Sequence, residues 1–566
     1  MKQVKNLFLT ALAAFAFAGC GNNDETVGKD TPDTVPAGVE TYASFSFKME
    51  GNNKSRAAMT DDTGVDEASL ADGRLLIFDN VTGILLNNEE FGSGNLTIKT
   101  TSGARRIYIV TGTKDKANLT DLGGLTANVS TLTDFYRKMA GDKYTGLPEN
   151  DTDMNDAFKQ LIESGKFVLS NVADINAVKT LLPGIGKEAS QGDASTSEDE
   201  TVNRFKFNVY RPVAKGHLKV QLKENALITH DGIFELKPAV TYGVRNVNRA
   251  TMYVQQFSND MVEMHPSEHE AEAGLRPHAA FYDAFNASTD DQMKNLATYH
   301  PYYFKGYAIT GADAVTTTMT SGADVPTAGK TVYFSENSNN RQVRGNSTYY
   351  GITNQVNRID KEKIAASVSF DMDLWEIHTT AATSDFDNAD GDKNFWYARE
   401  IPADIQKIIG EERRVFVDKN IAFQAMATIV KASNLVTLTT TGFTDNTFTS
   451  EALSEAFTNA INENPSGTKL NEEDVATVKK YLGYYRDGKS YYRLDLYEAS
   501  SAGDKRHFVR RNHIYDAKVT SFASIGFPEE GDLDKDPDQP VDADVTHVTA
   551  VINVQPWHTI SMEDDL

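Results

Sequence analysis

Apolar and polar residues alternate with a period of two near both ends of the chain. Near its start, polar residues and a tyrosine separate the apolar positions Ala43, Phe45, Phe47 and Met49. Near its end, the alternating apolar positions are Val548, Ala550, Ile552 and Val554. Because successive side chains of a strand point to opposite faces, each pattern predicts a β-strand with one buried face.

Short apolar runs predict further strands, and a few helices interrupt them. The predicted strands lie in residues 74–79, 84–86, 96–99, 106–110, 205–210 and 213–222. Helices are predicted over 132–139, 154–164, 403–409, 451–462 and 471–482. Thr131 with Asp134 has the spacing of a capping box, and Asn471 can cap the last helix. A hairpin is predicted over 484–497, with its turn at 486–489. The patterns therefore predict a mostly β protein.

A polar loop follows the first alternating strand. Residues 50–58 contain Gly, Asn and one arginine, so we expect an exposed loop that a protease can cut between Arg56 and Ala57. Arg74 and Arg106 lie in apolar strand patterns, which a protease could not enter without unfolding. A first strand that can be cut away and a last strand of similar pattern indicate polymerisation by strand replacement. The alternative is that both are ordinary edge strands of one sandwich.

The segment before the last strand is acidic. Residues 528–544 contain Pro537 and Pro540 among many carboxylates. Because such a segment repels itself and resists packing, we expect it to let the last strand swing away from its own domain.

The N-terminus is typical of an exported protein. Lys2 and Lys5 precede an apolar run over 7–18 that is too short for a relaxed membrane span. The run ends at Cys20, the single cysteine of 566 residues, in a context that resembles the bacterial lipobox. We therefore expect lipidation at Cys20, followed by a flexible tether over 21–38. The alternative is an ordinary signal peptide with a cysteine at this place by chance.

Composition excludes several classes of site. A net charge of −24 disfavours binding of nucleic acid through a basic patch, and a single cysteine excludes intrachain disulfides. His265, His269 and His278 lack the order of a zinc helix motif, and Pro266 disfavours a helix there. The acidic stretch 385–392 departs from the calcium-loop pattern, although it could hold a cation. We expect no cofactor, no metal site and no catalytic residue.

Several stretches together resemble a known family. They are 106–110, 210–215, 509–520 and 551–558, in addition to Cys20 and Arg56. They resemble the fimbrillins of Bacteroidales, the shaft subunits of type V pili, and within that family the Mfa-type subunits of short fimbriae. The resemblance extends over nearly the whole chain, and the combination of stretches carries it.

The resemblance implies a mostly β fold with two transthyretin-like β-sandwich domains and a few inserted helices. It also implies a division of the chain into a lipoprotein signal peptide (1–20), a propeptide removed by cleavage (21–56), an N-terminal sandwich (57–204), a C-terminal sandwich (205–540) and a C-terminal donor strand (541–566).

For function, the resemblance implies a structural subunit of a surface fimbria that contributes to adhesion and biofilm formation. The precursor would be an outer-membrane lipoprotein, cut after Arg56 by an Arg-specific surface protease. The donor strand, with Trp557 beyond it, would fill the groove that the removed strand leaves in a neighbour. Expected partners are further copies of the chain, fimbrial anchor and tip proteins, and host or bacterial receptors.

Other functions stay open at this point. An accessory fimbrial subunit is one, although an anchor would keep its first strand and a tip would lack a usable donor strand. A surface glycan-binding lipoprotein is another, although that class is mostly helical. An exported glycosidase is the weakest alternative, because no catalytic motif accompanies the abundant carboxylates.

Overall fold

The computed structural model describes twenty-six stretches of the chain. These are residues 36–49, 72–92, 95–112, 120–132, 134–135, 168–171, 177–192, 198–222, 234–246, 254, 315–318, 320–321, 332–337, 344–358, 364–371, 376–381, 394–398, 414–416, 418–433, 437–444, 447–461, 467–497, 507–522, 524–536, 539–541 and 548–556. The helices predicted over 154–164 and 403–409 lie outside them.

Strands dominate the described part of the chain, which confirms the mostly β fold. They are β1 Glu40–Met49, β2 Gly73–Asp79, β3 Leu85–Phe91, β4 Asn95–Thr101, β5 Gly103–Thr111, β6 Leu169–Ser170, β7 Val178–Leu181, β8 Arg204–Val209, β9 Val213–Leu222, β10 Phe234–Arg245, β11 Val315–Thr318, β12 Thr320–Ser321, β13 Val332–Ser335, β14 Tyr349–Arg358, β15 Ile364–Asp371, β16 Glu376–Ala381, β17 Phe395–Ala398, β18 Val415–Phe416, β19 Leu482–Tyr485, β20 Lys489–Asp495, β21 His513–Phe522 and β22 Val548–Pro556. The helices are α1 Lys187–Ser190, α2 Lys419–Ser433, α3 Ser450–Ile461 and α4 Glu472–Tyr481.

Two sheets pack against each other in the first part of the chain. One has the order β4-β1-β8, and the other has the order β3-β2-β5-β6 with β7 also on β5. Phe47 of β1 meets Phe91 of β3 across the interface, with ring centroids 4.5 Å apart. This is the layered arrangement that strands with a buried apolar face favour. The predicted boundary at 204/205 stays a prediction; β8, which spans it, pairs with β1.

Two further sheets pack against each other in the second part. Their orders are β11-β10-β14-β20 and β12-β9-β21-β22, with β13 also on β9. The hydroxyl of Tyr350 in β14 crosses the interface and donates to the carbonyl oxygen of Tyr515 in β21 at 2.9 Å. A Cβ at Gly216 in β9 would come within 2.3 Å of that hydroxyl, so the contact requires glycine there.

A fifth sheet carries the three longer helices. Its order is β16-β15-β18-β17-β19, and a separate apolar cluster joins it to α2, α3 and α4. Helices α3 and α4 confirm the predictions over 451–462 and 471–482. Asn471 caps α4 as predicted, accepting a hydrogen bond from the backbone N–H of Asp474 at 2.8 Å. The capping box predicted at Thr131 is also formed, with reciprocal bonds of 2.9 and 3.3 Å to Asp134.

The predicted hairpin over 484–497 is wrong. The turn is present at 486–488, but β19 before it pairs with β17 and β20 after it pairs with β14. Tyr485 of β19 stacks on Phe395 of β17, with ring centroids 4.9 Å apart. Local turn residues determine where the chain bends, whereas the packing of the strands determines which of them pair.

The expectation that residues 528–544 resist packing is also wrong for their described first part. Asp532 and Leu533 are buried in a short 3-10 helix, and Glu530 forms an ion pair with Arg245. The guanidinium of Arg493 donates to the carbonyl oxygen of Leu533 at 2.8 Å. The ion pair with Arg245 and the hydrogen bond from buried Arg493 therefore hold this part of the segment against the fold, despite its acidic composition. Within the described residues, no helix is long and apolar enough to cross a membrane.

Candidate functional site

The first strand lies at the centre of its sheet. β1 pairs antiparallel with β4 and parallel with β8, so both of its backbone edges are hydrogen-bonded. Its removal would leave a groove in which both flanking strands have unpaired N–H and C=O groups. Such groups are costly when they are left without partners, which makes the groove a template for another strand.

Aromatic residues fill one side of this groove. Phe45 is fully buried, and its ring lies 6.1 Å from that of Phe205 and 6.4 Å from that of Phe207. Phe47 and Ala43 are also buried, the latter opposite Ile98 of β4. The predicted apolar face of the first strand is therefore present at three positions, and Met49 ends the strand. Arg56 and Ala57, the predicted cleavage site, and the lipidation site Cys20 lie outside the described residues.

The polar face of β1 is buried as well, which the sequence did not predict. Ser44 and Ser46 are each 1% exposed, and the hydroxyls of Ser44 and Thr97 lie 2.7 Å apart. The segment with α1 contacts β1 and β4. The alternation of polar and apolar residues indicated a solvent-facing side, but small hydroxyl side chains can be covered when a neighbour accepts their hydrogen bonds.

Asn203 joins β1 to this covering segment. Its amide nitrogen donates to Thr41 Oγ1 at 3.0 Å and to the carbonyl oxygens of Tyr42 and Leu182 at 3.1 and 2.9 Å. Its amide oxygen accepts from the backbone N–H of Leu182 at 2.7 Å. The residue is fully buried and has φ of 54°, a left-handed conformation that asparagine tolerates better than most residues. The signal in the sequence that could have identified Asn203 is its position just before a predicted strand.

We expect Asn203→Ala to destabilise the uncut protein more than Asn203→Gly. Both variants lose the amide and leave buried groups unsatisfied, at about 1–3 kcal/mol. Only alanine adds the left-handed strain of roughly 1–2 kcal/mol. Urea unfolding of the two variants beside the parent measures both effects. A glycine variant as stable as the parent would contradict the role given to the amide.

At the entry of β1, an exposed ion pair adds little. Lys99 of β4 contacts Glu40 at 2.8 Å, and this hydrogen bond raises the pKa of Lys99. Both side chains are more than half exposed, so solvent screens their attraction. The buried side chains of β1 and its backbone pairing therefore hold this strand in its sheet.

The last strand lies at the edge of its sheet. β22 pairs antiparallel with β21 along its whole length, with Ile552 opposite Ala517 and Ala550 opposite Val519. Ile552 is 3% exposed, and Ala550 is half-buried against the same core. The two residues confirm that the predicted apolar positions face a core. Val548 and Val554 also belong to the strand, opposite Phe522 and Tyr515. Trp557 lies outside the described residues.

A half-buried carboxylate lies in the strand beside the last strand. Asp516 of β21 is opposite Asn553, and its Oδ2 lies 3.8 Å from the ammonium group of Lys219. Its Oδ1 is buried with no hydrogen-bond partner in the described part of the chain. Burial raises the pKa of Asp516, against the attraction of Lys219 and Lys518. Ionised Asp516 therefore destabilises the fold that holds β22.

We expect Asp516→Asn to raise the midpoint of thermal unfolding by a few degrees at neutral pH. Because folding raises the pKa, the cost of the ionised group is complete above the folded pKa and absent below the unfolded value of about 3.9. The advantage of the variant should therefore disappear below about pH 4. Melting curves between pH 3 and pH 8 test this, with Glu89→Gln at an exposed position as control. A gain that does not change with pH would contradict the assignment.

The metal candidates cannot be placed. His265, His269, His278 and the stretch 385–392 lie outside the described residues, and no cluster able to hold a metal ion occurs among the described ones.

Comparison with known proteins gives one family match. Residues 483–563 match the model of the C-terminal part of the major fimbrial subunit proteins, Fimbrillin_C. This region contains β20, β21 and β22, and among curated proteins no significant match was found.

Solved structures from several organisms have a similar chain course, and two of them are fimbrial proteins of Porphyromonas gingivalis. The fimbrilin (fimA) of Porphyromonas gingivalis W83 is 12% identical, with 92% of this chain and 99% of that chain covered and a TM-score of 0.38. The tip fimbrial protein Mfa3 of Porphyromonas gingivalis is 10% identical, with 92% and 100% covered and a TM-score of 0.32. The family match confirms, over residues 483–563, the resemblance to the fimbrillins that the sequence indicates.

Proposed function

We propose that this chain is a structural subunit of a bacterial surface fimbria that polymerises by donor-strand exchange. The precursor is exported as a lipoprotein through Cys20 and is cut between Arg56 and Ala57. Loss of β1 opens its groove, and β22 of a second copy fills it. The fimbrillin match over residues 483–563 supports the fimbrial role.

The placement of the two strands is the observation that carries this proposal. β1 is paired on both sides and precedes Arg56 in the chain by seven residues, so a cut after Arg56 separates it from the rest of the chain. Among the strands that the structure describes, β22 lies at the end of its sheet and pairs with β21 alone. The first strand leaves a groove, and the last strand is the one that can be released.

The energy of the exchange comes from backbone pairing and apolar burial. Four apolar side chains of the donor strand give on the order of 6–12 kcal/mol before entropy, at about 1.5–3 kcal/mol each, and alanine contributes less. The contact is head-to-tail, so it does not close and produces a filament. Anchor and tip proteins would end the filament, and surface receptors would be its ligands in adhesion and biofilm formation.

We expect an Arg-specific protease to convert the purified precursor into a ladder of oligomers. The new N-terminus should be Ala57, and N-terminal sequencing with gel electrophoresis measures both results. Arg56→Gln should remain uncut at this place and monomeric under the same treatment.

The other outcomes lead to different conclusions. Cutting at Ala57 without oligomers would mean that this chain needs an accessory subunit or an assembly factor. Absence of cutting near Arg56 would favour an anchor subunit or a glycan-binding lipoprotein.

A further inference from the structure

The shape of the groove selects one register for the incoming strand. On the basis of the donor-strand exchange proposed above, we propose that β22 of a second copy enters the groove in the direction of β1. It would then lie antiparallel to β4 and parallel to β8. The positions correspond as follows: Ala550 replaces Ala43, Ile552 replaces Phe45 and Val554 replaces Phe47.

The space that β1 occupies is narrow at one end and wide at the other. Ala43 is fully buried opposite Ile98, so the groove has room there for one methyl group. Phe45 is buried among aromatic rings, and the Phe47 ring lies 4.5 Å from that of Phe91. The donor strand has the same order of sizes in the same direction, since small Ala550 precedes the branched Ile552 and Val554. The order of side-chain sizes along β22 therefore matches the order of the spaces along the groove when β22 runs in the direction of β1.

Shifts by two residues fit less well. Moving the strand one way places Ile552 in the space of Ala43 and Pro556 in that of Phe47, where proline has no N–H for the ladder. Moving it the other way places Ala550 in the space of Phe45 and leaves a void of nearly a phenyl ring. Either shift therefore costs packing, backbone pairing or both.

A shift by one residue exchanges the two faces. It would place either Thr549, Val551 and Asn553 or Val551, Asn553 and Gln555 in the spaces of Ala43, Phe45 and Phe47, so a polar side chain would lie among the aromatic rings. The Asn203 amide does not select the register by itself, because it donates to a backbone carbonyl, that of Tyr42 at 3.1 Å in the uncut protein. In the proposed register the carbonyl of Thr549 takes that place.

Reversal of the strand also conflicts with the groove. Hydrogen bonds of parallel and antiparallel ladders have different spacing, and both flanking strands are arranged for the direction of β1. A reversed strand with Ile552 in the space of Phe45 would place Val554 in the space of Ala43 and Ala550 in that of Phe47. The small residue would then meet the wide end.

Engineered disulfides can determine the register. The chain has no cysteine beyond Cys20, and cleavage at Arg56 removes Cys20, so only the introduced thiols can form a disulfide in the cut protein. Val551 takes the place of Ser44, whose hydroxyl lies 2.7 Å from that of Thr97. The variant Thr97→Cys with Val551→Cys therefore brings two thiols within disulfide reach across neighbouring subunits. Lys99→Cys with Thr549→Cys reports the same register at a position where Lys99 is 55% exposed and tolerant of change.

The matched controls keep Thr97→Cys and move the partner cysteine to position 549 or 553. All four variants are cut with the Arg-specific protease in reducing buffer, where filaments of parental length are expected. They are then oxidised with oxidised glutathione and separated on denaturing gels without reductant. We expect covalent ladders for the pairs 97/551 and 99/549 and monomers for 97/549 and 97/553.

The outcomes separate the register from the exchange itself. Filaments with ladders for 97/549 or 97/553 would overturn the register and keep donor-strand exchange. Filaments in which none of the four variants gives a covalent ladder would also overturn the register, because the proposed register brings the pairs 97/551 and 99/549 within disulfide reach. Cut parental protein that forms no filament would contradict assembly by this chain alone, on which both the exchange and the register rest.

Discussion

Deletion of residues 546–566 is expected to abolish filament formation and to leave a folded monomer that is still cut after Arg56. β22 is an edge strand, so its loss removes one neighbour of β21, whereas β9 continues to pair with β21 on the other side. Of the side chains whose burial is described, Ile552 contributes about 1.5–3 kcal/mol and the half-buried Ala550 less. Without a donor strand, open grooves have no occupant.

Size-exclusion chromatography and electron microscopy after cleavage measure this effect. Deletion of only 561–566 is the matched control, since it leaves β22 complete and should give filaments of parental length. Filaments of parental length from the longer deletion would refute the role of β22. Circular dichroism of the uncut variant checks that the monomer is folded.

Substitution of Phe45 by alanine is expected to destabilise the precursor by about 3–5 kcal/mol, as for other fully buried phenylalanines. The substitution empties the part of the groove lined by Phe205 and Phe207. Because a weaker β1 also leaves sooner after cleavage, cut Phe45→Ala should polymerise faster than the parent. The finished filament should have unchanged stability, since it does not contain residue 45.

Denaturant unfolding of the precursor and light scattering after cleavage measure the two effects separately. Glu40→Ala lies on the same strand at an exposed ion pair and should change both by little. A polymerisation rate that does not respond to Phe45→Ala would contradict departure of β1 as the step that limits assembly.

The elements with local signals could be predicted from the sequence. Alternation gave β1 and β22, and side-chain caps gave the helix starts at Thr131 and Asn471. Helix α2 was not predicted, because its dense run of apolar residues resembles a buried strand. Asp418 was the available signal, since its carboxylate accepts from the backbone N–H groups of Asn420 and Ile421 at 2.8 and 3.0 Å.

The features that depend on long-range packing could not be predicted. The turn at 486–488 has a local cause, but the separation of β19 and β20 into different sheets does not. The burial of Ser44, the bonds of Asn203 to β1 and the position of Asp516 beside β22 each require a partner more than thirty residues away in the chain. Periodicity identifies the face of a strand that prefers burial, whereas only the assembled sheets determine what covers the other face.

If the chain assembles as proposed, the pairing of β1 on both edges implies a delay between cleavage and assembly. A cut at Arg56 breaks one covalent link and leaves the hydrogen bonds to β4 and β8 in place. The lifetime of the cut but closed protein then depends on the dissociation of one strand and not on the amount of protease. Subunits cut at the same moment would open one after another. Each growing fibre would meet few vacant grooves at a time, which limits unwanted association among open monomers on a crowded cell surface.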